Sequence, residues 1–300
     1  MSRKGPAGPG GLIIVDKPAG MTSHDVVAAV RRLVGTRRVG HAGTLDPMAT
    51  GVLVVAVERS TKLLNFLPLD DKAYTATIRL GAGASTDDRE GALGEARDTG
   101  ALAESGIAAA MARLTGEIMQ RPSAVSAIKV GGQRAYARVR AGEAVELAAR
   151  PVTVRRFALL GPIRRVGGFV DLDVEVECTS GTYVRALARD LGEALGVGGH
   201  LTALRRDRVG PFARDQAVSL ERLAGLAEPI MLALPAAIAA TMPTRAVTTS
   251  EAAELSFGRT IDAVGIAGVY GAIGPDGEAV ALLRETDARA RPVLGFTPRG

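Results

Sequence analysis

Tryptophan is absent from this 300-residue chain, cysteine occurs once and histidine three times. The single Cys178 excludes an internal disulfide and any cysteine-based zinc cluster; its expected role is that of a small buried apolar residue. His24, His41 and His200 lie far apart without metal-ligand spacing, so no metal is expected. Long apolar runs are also missing. The longest, PIMLALPAAIAA (229–240), holds two prolines and is too short to span a bilayer, so no membrane association is expected. The run Leu12–Val15 is too short for a secretory leader, and the Pro/Gly-rich residues 1–9 read as a disordered tail. A cytoplasmic setting is the resulting expectation. Nucleotide-binding signatures fail too. GAGAST (81–86) follows a strand but lacks the third glycine of a dinucleotide loop, and no Gly-Lys-Ser/Thr phosphate cradle occurs. GVGGH (196–200) fits a helix end better than a phosphate loop.

What is present is an ordinary globular balance, 47% apolar and 23% charged, long enough for two domains. Only five of the 37 basic residues are lysine; the others are arginine, and the net charge is +5. Arginine's planar fork suits phosphates and base edges, so the balance leans toward a polyanionic partner. A GC-rich genome produces the same Arg- and Ala-rich bias.

GLIIV (11–15) predicts a buried strand. Thr22 and Asp25 fit a capping box opening a helix in which Val26, Val27, Val30, Leu33 and Val34 recur at helical spacing; Gly35 ends it. VLVVAV (52–57) predicts a second buried strand and STKLLNFL (60–67) a short helix. AYTATIRL (73–80) alternates, with Tyr74, Ala76, Ile78 and Leu80 on one face. Residues 101–115 predict a helix, and 121–150 a basic strand-turn-helix protrusion hinged at Gly131-Gly132. VDLDVEVEC (170–178) turns Leu172, Val174, Val176 and Cys178 inward. Its carboxylates, Asp171, Asp173, Glu175 and Glu177, form a solvated row or meet Arg155 and Arg156. SGTYVRALARDLGEALG (180–196) passes from strand to helix, with Arg185 and Arg189 four residues apart. From residue 244, a short helix and the strands VYGAI and AVALLR, joined by GPDG, predict a small β-rich module. This irregular mixture argues for an α+β fold.

VGHAGTLDPMATGVL (39–53) raises the question of chemistry. Asp-Pro initiates turns, and a turn alone would explain Asp46. Yet Gly40, Gly43 and Gly51 allow close backbone approach to a bulky ligand, and Arg37, Arg38 and His41 suit phosphate or base contacts. Tyr74 opens a strand and Arg185 opens a helix elsewhere. A carboxylate, an arginine and a tyrosine without a metal suit attack on, or rearrangement of, a base.

GHAGTLDPMATGVL resembles the catalytic motif of the TruB family of tRNA pseudouridine synthases. GLIIVDKPAGMTSHDVV, KAYTATIRLG, RPSAVSAIKVGGQRAY, CTSGTYVRALARDLG and GGHLTALRRDRVGPF resemble further motifs of that family, in its order, across about residues 11–215. The resemblance implies a pseudouridine synthase fold: a mixed, largely antiparallel central sheet flanked by helices, in a catalytic domain over 10–243. It implies a PUA-like RNA-binding module over 244–300. It also implies isomerisation of uridine 55 in the TΨC loop of tRNA, with no cofactor. Asp46 takes the role of catalytic carboxylate, Arg185 that of the cation keeping it ionised, and Tyr74 stacks on the flipped base. His41 supports the emptied position, while Tyr183 and Leu204 line the pocket. Lys17, Lys62 and Lys129 support the loop or contact phosphate. A monomer is expected. A tRNA-binding or tRNA-folding protein with a dead site, and a related synthase acting on another RNA, are the rival readings.

Overall fold

The structure, a computed structural model, describes residues 10–123, 129–130, 133–134 and 147–296. The expected tail at 1–9 lies outside the described residues, as does most of the expected protrusion within 121–150, including its hinge at Gly131-Gly132. The chain forms two compact units. The first combines Met1–Pro47, Gly51–Leu69 and Gly210–Gly300; the second comprises Met48–Thr50 and Asp70–Val209.

The first unit begins with strand β1 (Gly11–Lys17), helix α1 (Ser23–Val34), and strands β2 (Val39–Ala42) and β3 (Thr50–Val57). β1 and β3 are antiparallel, in register from Gly11 opposite Val57 to Lys17 opposite Gly51. Their apolar residues are buried without alternation, the mark of strands covered on both faces. The capping box of α1 forms as expected: the Asp25 N–H donates to the Thr22 hydroxyl, and Asp25 accepts from the Thr22 N–H. Gly35 ends the helix in the left-handed region, with φ 67°. The helix expected at 60–67 is a 3-10 helix over Glu58–Asn65, and thus tighter and earlier in the chain.

The second unit contains β4 (Asp71–Leu80), α2 (Glu104–Arg113), β5 (Gly116–Gln120), β6 (Lys129–Val130), β7 (Gln133–Arg134), β8 (Arg150–Leu159), β9 (Arg164–Val166), β10 (Phe169–Thr179), α3 (Val184–Ala194) and β11 (Gly199–Val209). Its sheet runs in the order β11-β4-β10-β8-β5, with antiparallel pairings throughout. β4 alternates as its sequence dictates, with Tyr74, Ala76, Ile78 and Leu80 buried. The carboxylate row of β10 is consumed by arginines: Asp171 by Arg79 at 2.7 Å, Asp173 by Arg164, Glu175 by Arg156 at 2.6 Å and Glu177 by Arg208 at 3.6 Å. Arg155, expected to join that row, instead reaches Asp71 at 3.0 Å. Cys178 is buried, and burial pushes its thiol up to about 11, as an apolar core role requires.

Helix α3 is held against the start of β11 through Gly192, which meets Gly198 and Gly199. A Cβ on Gly192 would lie 2.1 Å from the Gly198 carbonyl carbon and 2.2 Å from the Gly199 nitrogen, which are backbone atoms that no rotamer can clear. This close approach sets where α3 carries its arginines.

The first unit resumes with β12 (Phe212–Ala213), α4 (Leu220–Ala224), β13 (Leu232–Ala233) and α5 (Leu234–Ala239). The longest apolar stretch of the sequence thus becomes an edge strand paired with β1 and a short buried helix. Next come β14 (Thr244–Ala246), α6 (Thr249–Ser256), β15 (Ile261–Asp262), β16 (Val269–Ile273), β17 (Ala279–Thr286) and β18 (Arg289–Gly295). Their five-stranded sheet, in the order β14-β16-β17-β18-β15, has its own core around Tyr270, Val280 and Leu283. Only β14–β16 among these pairs is parallel. Helix α5 leans on this sheet through Ile238, whose Cγ2 occupies the space a Cβ on Gly271 would need.

Two outcomes follow from this packing. Gly192→Ala should lower the unfolding free energy by roughly 1–3 kcal/mol through overpacking, read from urea denaturation. In α6, the Thr248 N–H and then its hydroxyl hold the Glu251 carboxyl below its ordinary 4.5, aided by Arg245. A depressed folded-state value adds stability above 4.5 that is lost as pH falls through the folded value. Glu251→Gln should therefore flatten the acid side of the thermal-midpoint profile below pH 4.5; parallel wild-type and variant profiles would show the reverse.

Candidate active site

The first unit holds Asp46 in the turn between β2 and β3, with its backbone secured on both sides. The Leu45 N–H donates to the Ser23 hydroxyl at 2.9 Å, and that hydroxyl donates to the Leu45 carbonyl at 3.2 Å. The Pro47 carbonyl accepts from the Gly20 N–H at 2.8 Å and from Lys17 Nζ at 3.2 Å. Lys17 is fully buried and also donates to the Pro18 and Met21 carbonyls at 2.8 and 2.7 Å. Of the two roles expected for Lys17, this geometry is that of loop support. Half-buried Asp46 thus sits on a backbone braced by the β1–α1 connection. The braces, Gly20 and Ser23, belong to the quoted N-terminal motif, although nothing in their spacing points to the loop.

His41 lies on β2 and meets the His24 ring edge-on at a centroid distance of 5.4 Å. Lys62 is exposed on the 3-10 helix. Gly43 and Gly51 have φ of 74° and 104°, so glycine there meets a backbone requirement. A Cβ on Gly40 would press on Leu64 at 3.1 Å. These glycines have structural reasons of their own, where the sequence pointed to ligand clearance.

The second unit brings Tyr74, Leu204, Tyr183 and Arg185 into one body. Tyr74 on β4 stands opposite Arg206 on β11 and Val176 on β10, and Leu204 stands opposite Ala76, so all share one face. Arg206 is among the most buried side chains, although nothing in the basic run LRRDR singles it out. Lys72, two residues before Tyr74, has its ammonium pushed down by burial and then by Arg206. Tyr183 caps α3, and buried Gln120 locks its backbone: the Tyr183 N–H donates to Oε1 at 2.8 Å, while Nε2 donates to the Tyr183 carbonyl at 3.1 Å. The Arg150 guanidinium stacks 5.2 Å from the Tyr183 ring centre. Lys129 lies on β6.

Arg185 is 3% exposed at the start of α3. Its Nη1 donates to the Thr86 carbonyl at 2.9 Å, and its Nε lies 3.5 Å from Asp88 Oδ2. Asp88 is itself ordered by the Thr86 hydroxyl at 2.5 Å and the Glu90 N–H at 3.0 Å. Asp88 sits in the loop GAGASTDDREGALG, whose polarity gives no sign of an inward carboxylate. Among the described residues, no group of three His, Cys, Asp or Glu could hold a metal, and no helix is long and apolar enough to cross a membrane. Truncating one member of a buried ion pair costs about 3–5 kcal/mol. Asp88→Ala should therefore shift the urea midpoint strongly, and Asp88→Asn less, since it keeps acceptors for Thr86 and Glu90.

Comparisons with known proteins identify the family of the chain. Residues 31–184 match the family model for the N-terminal domain of TruB family pseudouridylate synthase. Residues 185–230 match the tRNA pseudouridylate synthase B C-terminal domain, and 242–297 match the C-terminal model of tRNA pseudouridine synthase II. The chain is 62% identical over 292 residues to tRNA pseudouridine synthase B of Nocardia farcinica, covering 97% of this chain and 94% of that protein. It is 59% identical over 290 residues to the protein of that name from Rhodococcus jostii, covering 96% and 94%. Among solved structures, a Cbf5-Nop10-Gar1 complex matches with a TM-score of 0.70 at 28% identity, covering 96% of this chain and 85% of that one. An H/ACA RNP bound to a substrate RNA containing 2'-deoxyuridine matches with a TM-score of 0.69 at 26% identity, covering 96% and 86%. Both the sequence models and the fold lead to one assignment: the chain belongs to the TruB family of pseudouridine synthases.

Proposed function

We propose that the protein isomerises uridine 55 in the TΨC loop of tRNA to pseudouridine, with Asp46 as the catalytic carboxylate. The observation carrying this reading is the braced Asp46 turn in a chain of this family: a carboxylate on a backbone held at Leu45 and Pro47. The reaction breaks the uracil N1–C1′ bond, turns the base and forms C1′–C5; the C5 proton leaves and N1 gains one. There is no net redox change, so the chemistry needs no oxidant or reductant. An ionised carboxylate acts at the sugar, either by adding to C1′ or by taking the C2′ proton.

In this reading Arg185 supplies the cation of the site, and Tyr74 stacks on the flipped uracil and helps remove the C5 proton. Tyr183 and Leu204 line the base pocket. His41 fills the position the uridine leaves, offsetting an extrusion cost of a few kcal/mol. Lys62 and Lys129 meet phosphate, and Lys17 supports the loop. In this reading residues 10–243 form the catalytic domain, the segment about 121–150 contacts RNA and residues 244–300 add an RNA-binding module. The protein works as a monomer in the cytoplasm.

The test is tritium release from tRNA labelled at uridine C5. Wild type should release tritium from position 55, a tRNA carrying C55 should release none, and Asp46→Ala should be slower by at least about a hundredfold. No release by wild type, with tRNA still bound, would favour the dead-site protein. Release that persists with C55 would favour another RNA position.

A further inference from the structure

Helix α3 carries a second arginine. Arg189 lies one turn beyond Arg185, on the same side of the helix. Every nitrogen of its guanidinium is engaged. Nε and Nη2 donate to Asp190 Oδ1 at 2.9 and 2.7 Å, Nη1 donates to Asp87 Oδ2 at 3.1 Å, and Nη2 also donates to the Arg121 carbonyl at 2.7 Å.

Asp87 and Asp88 are consecutive, and consecutive side chains on extended backbone point to opposite sides. Here both carboxylates meet arginines of one helix, Asp88 at Arg185 and Asp87 at Arg189. The backbone allows this because Asp87 adopts φ 60°, a left-handed conformation that side chains disfavour, aspartate less than most. The Leu201 N–H holds the Asp87 carbonyl at 3.0 Å. That bond fixes the peptide; the pair with Arg189 fixes the side chain.

We propose that Arg189 is a positioning residue for the isomerisation: by pairing with Asp87 it holds the left-handed turn that delivers Asp88 to Arg185. The inference rests on the assignment of Arg185 to the site made above. Its effect falls on the chemical step, because Arg189 acts through Asp87 and Asp88. The fork serves Asp87, Asp190 and the Arg121 carbonyl in one fixed planar geometry, which a lysine ammonium does less well.

The experiment compares Arg189→Met, Asp87→Asn, their double mutant and Arg189→Lys. Asparagine tolerates the left-handed backbone, so Asp87→Asn removes the ion pair while leaving the turn accessible. Single-turnover tritium release at saturating enzyme should slow about tenfold or more in each single mutant, while tRNA affinity changes by less than about threefold. The double mutant should be no slower than the slower single, and Arg189→Lys should recover part of the rate. The Arg185 Nε–H resonance, recorded without RNA, should shift in both single mutants. A wild-type rate in Asp87→Asn, an unmoved Arg185 resonance, or weakened tRNA binding at an unchanged rate would overturn the proposal. Should Arg189→Met not fold, Asp87→Asn and Arg189→Lys carry the same test. An inactive wild type would count against the isomerase reading, and the resonance would still decide whether Arg189 controls Arg185.

Discussion

A buried ammonium has to be met by acceptors, and the Asp46 turn is arranged around one. Lys17 has no solvent exposure, and its Nζ reaches the carbonyls of Pro18, Met21 and Pro47. Leaving such a charge unmet would cost several kcal/mol, so those carbonyls are held where they are. Pro47 is fixed from one side in this way, and Ser23 fixes Leu45 from the other. The glycine-rich stretch is therefore braced, as the proposed role of Asp46 at one sugar carbon requires.

The second unit applies the same rule with guanidinium groups. Arg185 is nearly as buried as Lys17 and is met by Asp88 and the Thr86 carbonyl. The loop supplying both partners follows β4, the strand that carries Tyr74. Its placement depends on an uncommon backbone conformation at Asp87 and on the close packing of Gly192 against Gly198 and Gly199. One steric contact between glycines and one ion pair thus set the position of the arginine that the proposed chemistry uses.

Some features are local and could be read directly. The capping box of Thr22 and Asp25, the stop at Gly35 and the alternation of β4 all depend on residues within a few positions of each other. The six ordered motifs likewise led to the family. Other features were misread for a physical reason. Residues 60–67 have helical spacing but wind as a 3-10 helix beginning at Glu58. Arg155 is the extra residue of a β-bulge, between Val154 opposite Cys178 and Arg156 opposite Glu177, and the two arginines take different partners, Asp71 and Glu175. Arg206 lies in the basic run LRRDR, and its register opposite Tyr74 buries it.

By itself the sequence determined the alternation of β4, the caps of α1 and the ordered motifs of the family to which the chain belongs. Those are properties of short windows and of motif order. Tertiary structure decided which groups meet, because Lys17 lies 30 residues from Pro47 and Arg185 lies 99 from Thr86, and no local pattern encodes those pairings. It also decided the partners of Asp88 and Arg189, two charged residues among many. Burial is what makes a charge choose a partner, and burial is a property of the folded chain.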